Sequence, residues 1–345
     1  MLGNLIQQTV NALTIGSIYA LIALGYTMVY GVLRMINFAH GEMFMLGAYV
    51  AFLILSMLVG DVGMAGAIAL TVAFVVAIFL VGFIGVGIER VAYKPLRNST
   101  RLAPMLSSLG VSLSLVTGMQ ILAGPQPVAF PSFFPIVRYE VLGGTITSMQ
   151  IGILVAAFVL MFGLHFLVNR SRIGIIVRAV SESRPTAQLL GINVNGAISM
   201  VFFVGPLLGA AGGILYASYY GIMSPTMGAV IGLKAFTAAI LGGIGSIPGA
   251  MLGAFILAFV EVGGTALLPV VTILGVQMGT VLAGSVVIES VFSWPGVGSL
   301  LFDSVSSRNY PVVLGIMVLG SLVVIMANIA VDLIYMWLDP RIEIR

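Results

Sequence analysis

From Met64 to Ile88 the chain runs without one charged residue, and apolar runs of this kind recur along its whole length. A helical crossing of a bilayer takes about 20 apolar residues. A water-soluble fold has no place for many such runs, because its exterior has to carry charge. Here 7% of the residues are charged and 60% are hydrophobic, against about 25% charged in an ordinary soluble domain. Lipid is therefore part of the solvent. The runs are long and unbroken rather than short and alternating, so helices are expected and not the strands of a barrel. The 345 residues have room for about eight to ten hydrophobic segments. The expectation is an all-α polytopic transmembrane helical bundle with one segment re-entrant.

Polar punctuation places the spans near 10–32, 37–59, 64–88, 103–123, 149–169, 198–220, 229–247, 249–268, 270–290 and 311–338. The two around Pro248 sit back to back with almost no loop, which predicts a short, broken or re-entrant segment there. No Lys or Arg precedes Arg34, so the first apolar stretch lacks the basic flank of a cleaved signal and is expected to be a retained span. Orientation follows the basic residues. Arg34, then Arg90, Lys94, Arg97 and Arg101, then Arg170, Arg172, Arg178 and Arg184 fall in three loops of the same parity, expected in the cytoplasm. The proline-rich segment 124–148, with Arg138 and Glu140 its only charges, is then external. The net charge of +3 comes from these few basic loops and makes no case for a nucleic-acid partner.

Glycine numbers 43, and it recurs every fourth residue at Gly205, Gly209 and Gly213 and again at Gly245, Gly249 and Gly253. That spacing lays bare backbone along one helical face and lets another helix approach closely. The ladders read as internal packing or as a subunit interface or pathway wall.

Enzyme signatures are missing. There is no phosphate-binding loop and no H-E-x-x-H, and the two histidines are His40 and His165. With no cysteine at all, thiolate metal sites, disulfides and a cysteine nucleophile are excluded. No metal and no cofactor are expected.

Ionisable residues at membrane depth are costly and so point to function. Asn37, His40 and Glu42 open the second span just after Arg34. They read as a local ion-pair cluster that stabilises a helix start, or as part of a gate or solute path. Lys234 sits in an apolar run and could meet a substrate carboxylate, Glu42 or Glu261, the last of these deep in the following span. The loop 170–197 is amphipathic and moderately charged, fit for a short interfacial helix that docks a cytosolic partner or for a solvated loop.

Several of these stretches resemble a known family. The runs Asn11-Ala12-Leu13-Thr14-Ile15-Gly16-Ser17, Met35-Ile36-Asn37-Phe38-Ala39-His40-Gly41-Glu42, Ile88-Glu89-Arg90-Val91-Ala92-Tyr93-Lys94-Pro95 and Lys234-Ala235-Phe236-Thr237-Ala238-Ala239-Ile240-Leu241-Gly242-Gly243 look like the permeases of branched-chain amino acid ABC importers, in the right order over residues 1–266. The resemblance implies a non-catalytic, channel-forming subunit of a bacterial inner membrane. Such subunits pair with a second permease, take solute from a periplasmic binding protein, and are driven by two cytosolic ATP-binding subunits. Arg178, Glu182, Ala187 and Gly191 would then fall in the segment that seats in an ATPase groove. From residue 267 to 345 the text changes. Glu289-Ser290-Val291-Phe292-Ser293-Trp294-Pro295-Gly296 and the ending Leu338-Asp339-Pro340-Arg341 resemble dipeptide and oligopeptide importer permeases, so the chain reads as two permease pieces joined near 266–268. A peptide permease and a non-functional hybrid are the alternatives this leaves. An intramembrane enzyme or ion pump lacks the ionisable residues it would need.

Overall fold

The computed structural model describes residues 2–60, 62–63, 65–97, 99–100, 102–131, 137–141, 143–264 and 296–338. The described residues are mostly helical: α1 (Leu2–Leu33), α2 (His40–Gly60), α3 (Gly66–Ile88), α4 (Leu102–Ala123), α5 (Ser148–Arg170), α6 (Arg172–Glu182), α7 (Arg184–Leu189), α8 (Val194–Tyr220), α9 (Met227–Leu241), α10 (Ile247–Gly264), α11 (Val297–Ser306) and α12 (Tyr310–Leu338). Seven of them, α1 to α5, α8 and α10, are long and apolar enough to cross a membrane. The expected spans within the described residues are therefore helices, with ends displaced by a few positions. The expected span 270–290 and the chain ending after Leu338 lie outside the described residues.

The chain divides into two compact units, Met1–Phe259 and Val260–Arg345. In the first, α8 is the axis, with α1, α2 and α3 packed along it and α9 laid against α1 and α2. Apolar lipid gives helices little hydrophobic reason to associate, so close backbone approach has to supply the dispersion contacts. Small residues allow it. A Cβ on Gly213 would overlap the Phe44 carbonyl, and one on Gly47 would overlap the backbone of Ala210. Pro206 lies inside α8, and Gly85 of α3 accommodates both its ring and the Phe202 carbonyl. In the second unit, α11 packs on α12 through the turn at Ser307–Asn309.

The glycine ladders resolve differently. Gly205 lies against Gly25 and Val29 of α1 and His40 of α2, while Gly209 and Gly213 lie against α2. Gly249 and Gly253 back onto Gly242 and Ala238, closing an α9–α10 hairpin. Gly245 departs from the expected helical ladder: it has φ +99° in the turn between the two helices, a backbone state open to glycine at no steric cost.

The bundle has two chemically distinct ends. At one lie the described arginines of the three basic loops. At the other, the segment expected to be an external loop forms a hairpin of β1 (Arg138–Val141) on β2 (Gly144–Thr147). Gln7 of α1 accepts from the Thr145 amide at 2.8 Å, and Gln150 donates to Asn11 at 3.0 Å. The first bond fastens the hairpin to the start of α1, and the second ties α5 to α1. Thr147 and Gln150 form a reciprocal capping box on α5, satisfying amides that a helix start leaves bare.

Candidate functional site

The break between α1 and α2 is where polar groups enter the bundle. Arg34 ends α1 in a left-handed conformation, φ 52°. Asn37 then organises the turn, its Oδ1 accepting from the Ala39 amide at 3.1 Å and from the Tyr93 hydroxyl at 2.6 Å. Helix α2 begins at His40, well inside the bundle. His40 lies against Gly25, which is about 12 Å along α1 from its basic end, and against Gly205, about 16 Å into α8. Glu42 accepts from Ser112 at 3.0 Å, and Ser112 is about 15 Å into α4. With a hydrocarbon core of about 30 Å, all three place the start of α2 near half-depth.

Helix α9 starts at the same level. Gly228, in its first turn, is so close to α2 that a Cβ would overlap Glu42 Oε2, and Gly232 lies against Gly41. At 15 residues, α9 is about 22 Å long and too short to cross by itself. This is the short segment expected near Pro248. Two helix N-termini thus meet in mid-bundle beside a buried carboxylate. Backbone that is irregular at this depth has to be enclosed by protein or line a cavity. A cavity of about 210 Å³ is lined there by Tyr26, Phe38, Glu42, Ser112, Gly228 and Phe236 among others. The Tyr26 ring stands edge-on to His40 at 4.6 Å and tilts against Phe236 at 5.4 Å.

Of the residues singled out from sequence, Asn37, His40 and Glu42 are brought together and buried. Arg34 is not part of that group, and the expected ion pair at the helix start is not formed. Its guanidinium reaches the Ser181 carbonyl at 3.4 Å instead. Lys234 Nζ donates to the Tyr19 hydroxyl at 3.1 Å and stands 5.5 Å from that ring's centre. Glu261 lies on α10, half-buried.

The basic end carries a second constellation. Ser171 and Ser183 cap α6 and α7, and α6 buries Val177 and Val180 while α7 buries Ala187. Arg178, Glu182 and Gly191 are exposed, and so are Ile175, Leu189 and Leu190. Arg178 donates to the Val168 carbonyl and ties α6 back to α5. Arg184 donates to the Val32 carbonyl at 2.9 Å. Burial, with Arg97 and Arg34 nearby, lowers its pKa from the usual guanidinium value. Together α6 and α7 wall a cavity of about 770 Å³ against Arg34, Ile36, Arg97 and Pro104.

Sequence reasoning missed a buried ion pair. Glu89, fully buried where α3 widens into a π-helical turn (Glu89–Tyr93), pairs with Arg97 and accepts from Ser199 at 2.9 Å. Arg97 also donates to Asn195 at 2.6 Å. Both residues were visible as charges beside a span, but their pairing depends on the wide turn bringing positions 89 and 97 round to α8. Among the described residues no cluster of His, Asp and Glu could hold a metal ion.

Residues 8–292 match the family described as branched-chain amino acid transport system / permease component. The chain belongs to that permease family. It is 44% identical over 264 residues to the high-affinity branched-chain amino acid transport system permease protein BraD of Pseudomonas aeruginosa, which covers 75% of this chain and 86% of the relative. It is 43% identical over 267 residues to the corresponding protein LivH of Escherichia coli, covering 76% and 87%. Residues 261–344 of the permease match a second family, binding-protein-dependent transport system inner membrane component. There it is 49% identical over 78 residues to the dipeptide transport system permease protein DppB of Escherichia coli, 23% of each chain. No solved structure matches the permease. With these relatives and its membrane-length helices, the permease is a multi-pass protein of the bacterial inner membrane and an ABC transporter component.

Proposed function

We propose that the permease forms the channel of an importer that carries leucine, isoleucine and valine across the inner membrane. It has no catalysis of its own. A periplasmic binding protein delivers solute, a second permease, identical or homologous, completes the channel, and two cytosolic ATP-binding subunits drive it. The observation that carries this reading is the match to branched-chain permeases from residue 8 to 292. The C-terminal match to DppB favours a second reading, transport of dipeptides, or a hybrid that inserts and does not couple. On either, 1–266 and 267–345 are separate permease pieces. Growth rescue of a strain lacking its branched-chain permease decides: rescue on leucine supports the first reading, rescue on dipeptides alone the second, and neither the hybrid.

The basic end faces the cytoplasm in this reading, and α6–α7 is the coupling element. Its exposed Glu182, Leu189 and Leu190 offer a mixed surface to an ATPase groove. Because α6 and α7 also wall the large cavity, ATPase closure that shifts them would reshape it, a rigid-body route to alternating access. Glu182→Lys combined with Ala187→Pro is expected to abolish uptake with expression retained; unchanged uptake would remove the assignment.

A further inference from the structure

The half-depth cavity holds an unsatisfied group. Glu42 is 1% exposed, Ser112 occupies its Oε1, and Oε2 has no hydrogen-bond partner. A carboxylate has about four acceptor positions, and one left unfilled in a buried site is costly. The surroundings are divided. On one side stands the first turn of α9, where helix geometry leaves amides without intrahelical acceptors and Thr226 provides no side-chain cap. Gly228 and Ala229 of that turn line the cavity. On the other side are apolar walls, Phe38, Leu109, Leu233 and Phe236, with Leu109 and Leu233 forming an exposed rim.

We infer that this cavity is a transient binding site for a zwitterionic amino acid with an aliphatic side chain, Glu42 Oε2 taking its ammonium group. The α-carboxylate faces the first-turn amides of α9, where the helix dipole favours an anion, and the side chain lies on the apolar walls. About 210 Å³ is below the roughly 300–1,000 Å³ of drug-sized pockets and suits a small solute. Broken helices that present their N-termini to a carboxylate at mid-membrane are a general solution for transporters. Ile36 lines both this cavity and the large one at the basic end, so the segment around it separates the bound solute from the exit. The inference rests on the amino acid import proposed above and names the place where the solute pauses.

The test uses the assembled transporter in membranes, labelled with photo-leucine, a diazirine analogue that keeps both charged groups. Adducts are expected within 36–42, 109–112 or 228–236. Glu42→Gln should cut labelling about tenfold or more, the size of one charge-assisted hydrogen bond. Leucine should compete, and 4-methylpentanoate, which lacks the ammonium, should not. Labelling unchanged by Glu42→Gln, adducts confined elsewhere, or competition by 4-methylpentanoate equal to leucine overturns the inference. Should Glu42→Gln fail to fold, Leu233→Trp fills the cavity from its exposed rim and should suppress labelling; undiminished labelling there also overturns it. Wild-type growth on leucine with any of these failures leaves the transport reading standing, whereas uptake of dipeptides alone overturns both.

Discussion

Helices α8 and α4 are both long and apolar, yet the bundle treats them in opposite ways. In their most apolar windows 78% of α8 is buried and 6% of α4. Helix α8 carries Gly205, Gly209 and Gly213 on faces that touch α1 and α2, and its first turns hold the Glu89–Arg97 pair through Asn195 and Ser199. Helix α4 touches the rest mainly through Ser107, Ser108 and Ser112, and the side that carries Gly110, Leu113 and Thr117 is exposed. Apolarity therefore decides that a segment enters lipid, while small residues and buried polar partners decide what it packs on. One helix organises the permease; the other contributes serines, Ser108 to Phe38 and Ser112 to Glu42, to the half-depth site.

The contrast can be broken in order of effect. Arg97→Ala leaves Glu89 buried without its cation beside α8 and should destabilise the permease by about 3–5 kcal/mol, read as a loss of monodisperse protein after extraction. Gly213→Val forces a branched side chain into the Phe44 backbone, which cannot move aside as a side chain could. It should cost about 3 kcal/mol, the upper part of the usual range for overpacking, seen as a lowered melting temperature. Ser112→Ala on α4 removes one hydrogen bond from Glu42 and should cost about 1–3 kcal/mol, with leucine uptake reduced more than yield. Gly118→Ala, also on α4, meets open space and should change stability by no more than about 0.5 kcal/mol. A sharp loss of yield with Gly118→Ala in the assembled transporter, and none with the permease expressed alone, would show that another chain covers this face of α4. The comparison would then describe the subunit and not the transporter.

Much of this was legible in the residues. The apolar runs located the helices, because lipid leaves an apolar run no alternative to an internally bonded backbone. The motif Asn37–Glu42 was marked by cost: charge and imidazole inside such runs have to be held by something. The ladder at Gly205–Gly213 was legible as a close-packing face, although its partner was not. Gly245 was misleading, since a four-residue spacing in sequence says nothing about whether the helix continues through it. Arg34 was misleading in another way. Proximity in sequence to Glu42 suggested an ion pair, but a left-handed residue turns its side chain towards α6.

What the sequence determined by itself is residence in the membrane, the positions of the helices within a few residues, and membership of a permease family. Those properties are sums over many residues or matches along the chain, and they survive without any knowledge of packing. Only the tertiary structure decided that α2 and α9 both begin at half-depth, that Ser112 and Gly228 come to Glu42, and that Glu89 finds Arg97. Each of these depends on the relative heights of helices far apart in sequence, set by glycine contacts too sparse and too local to be read as heights until the helices are packed.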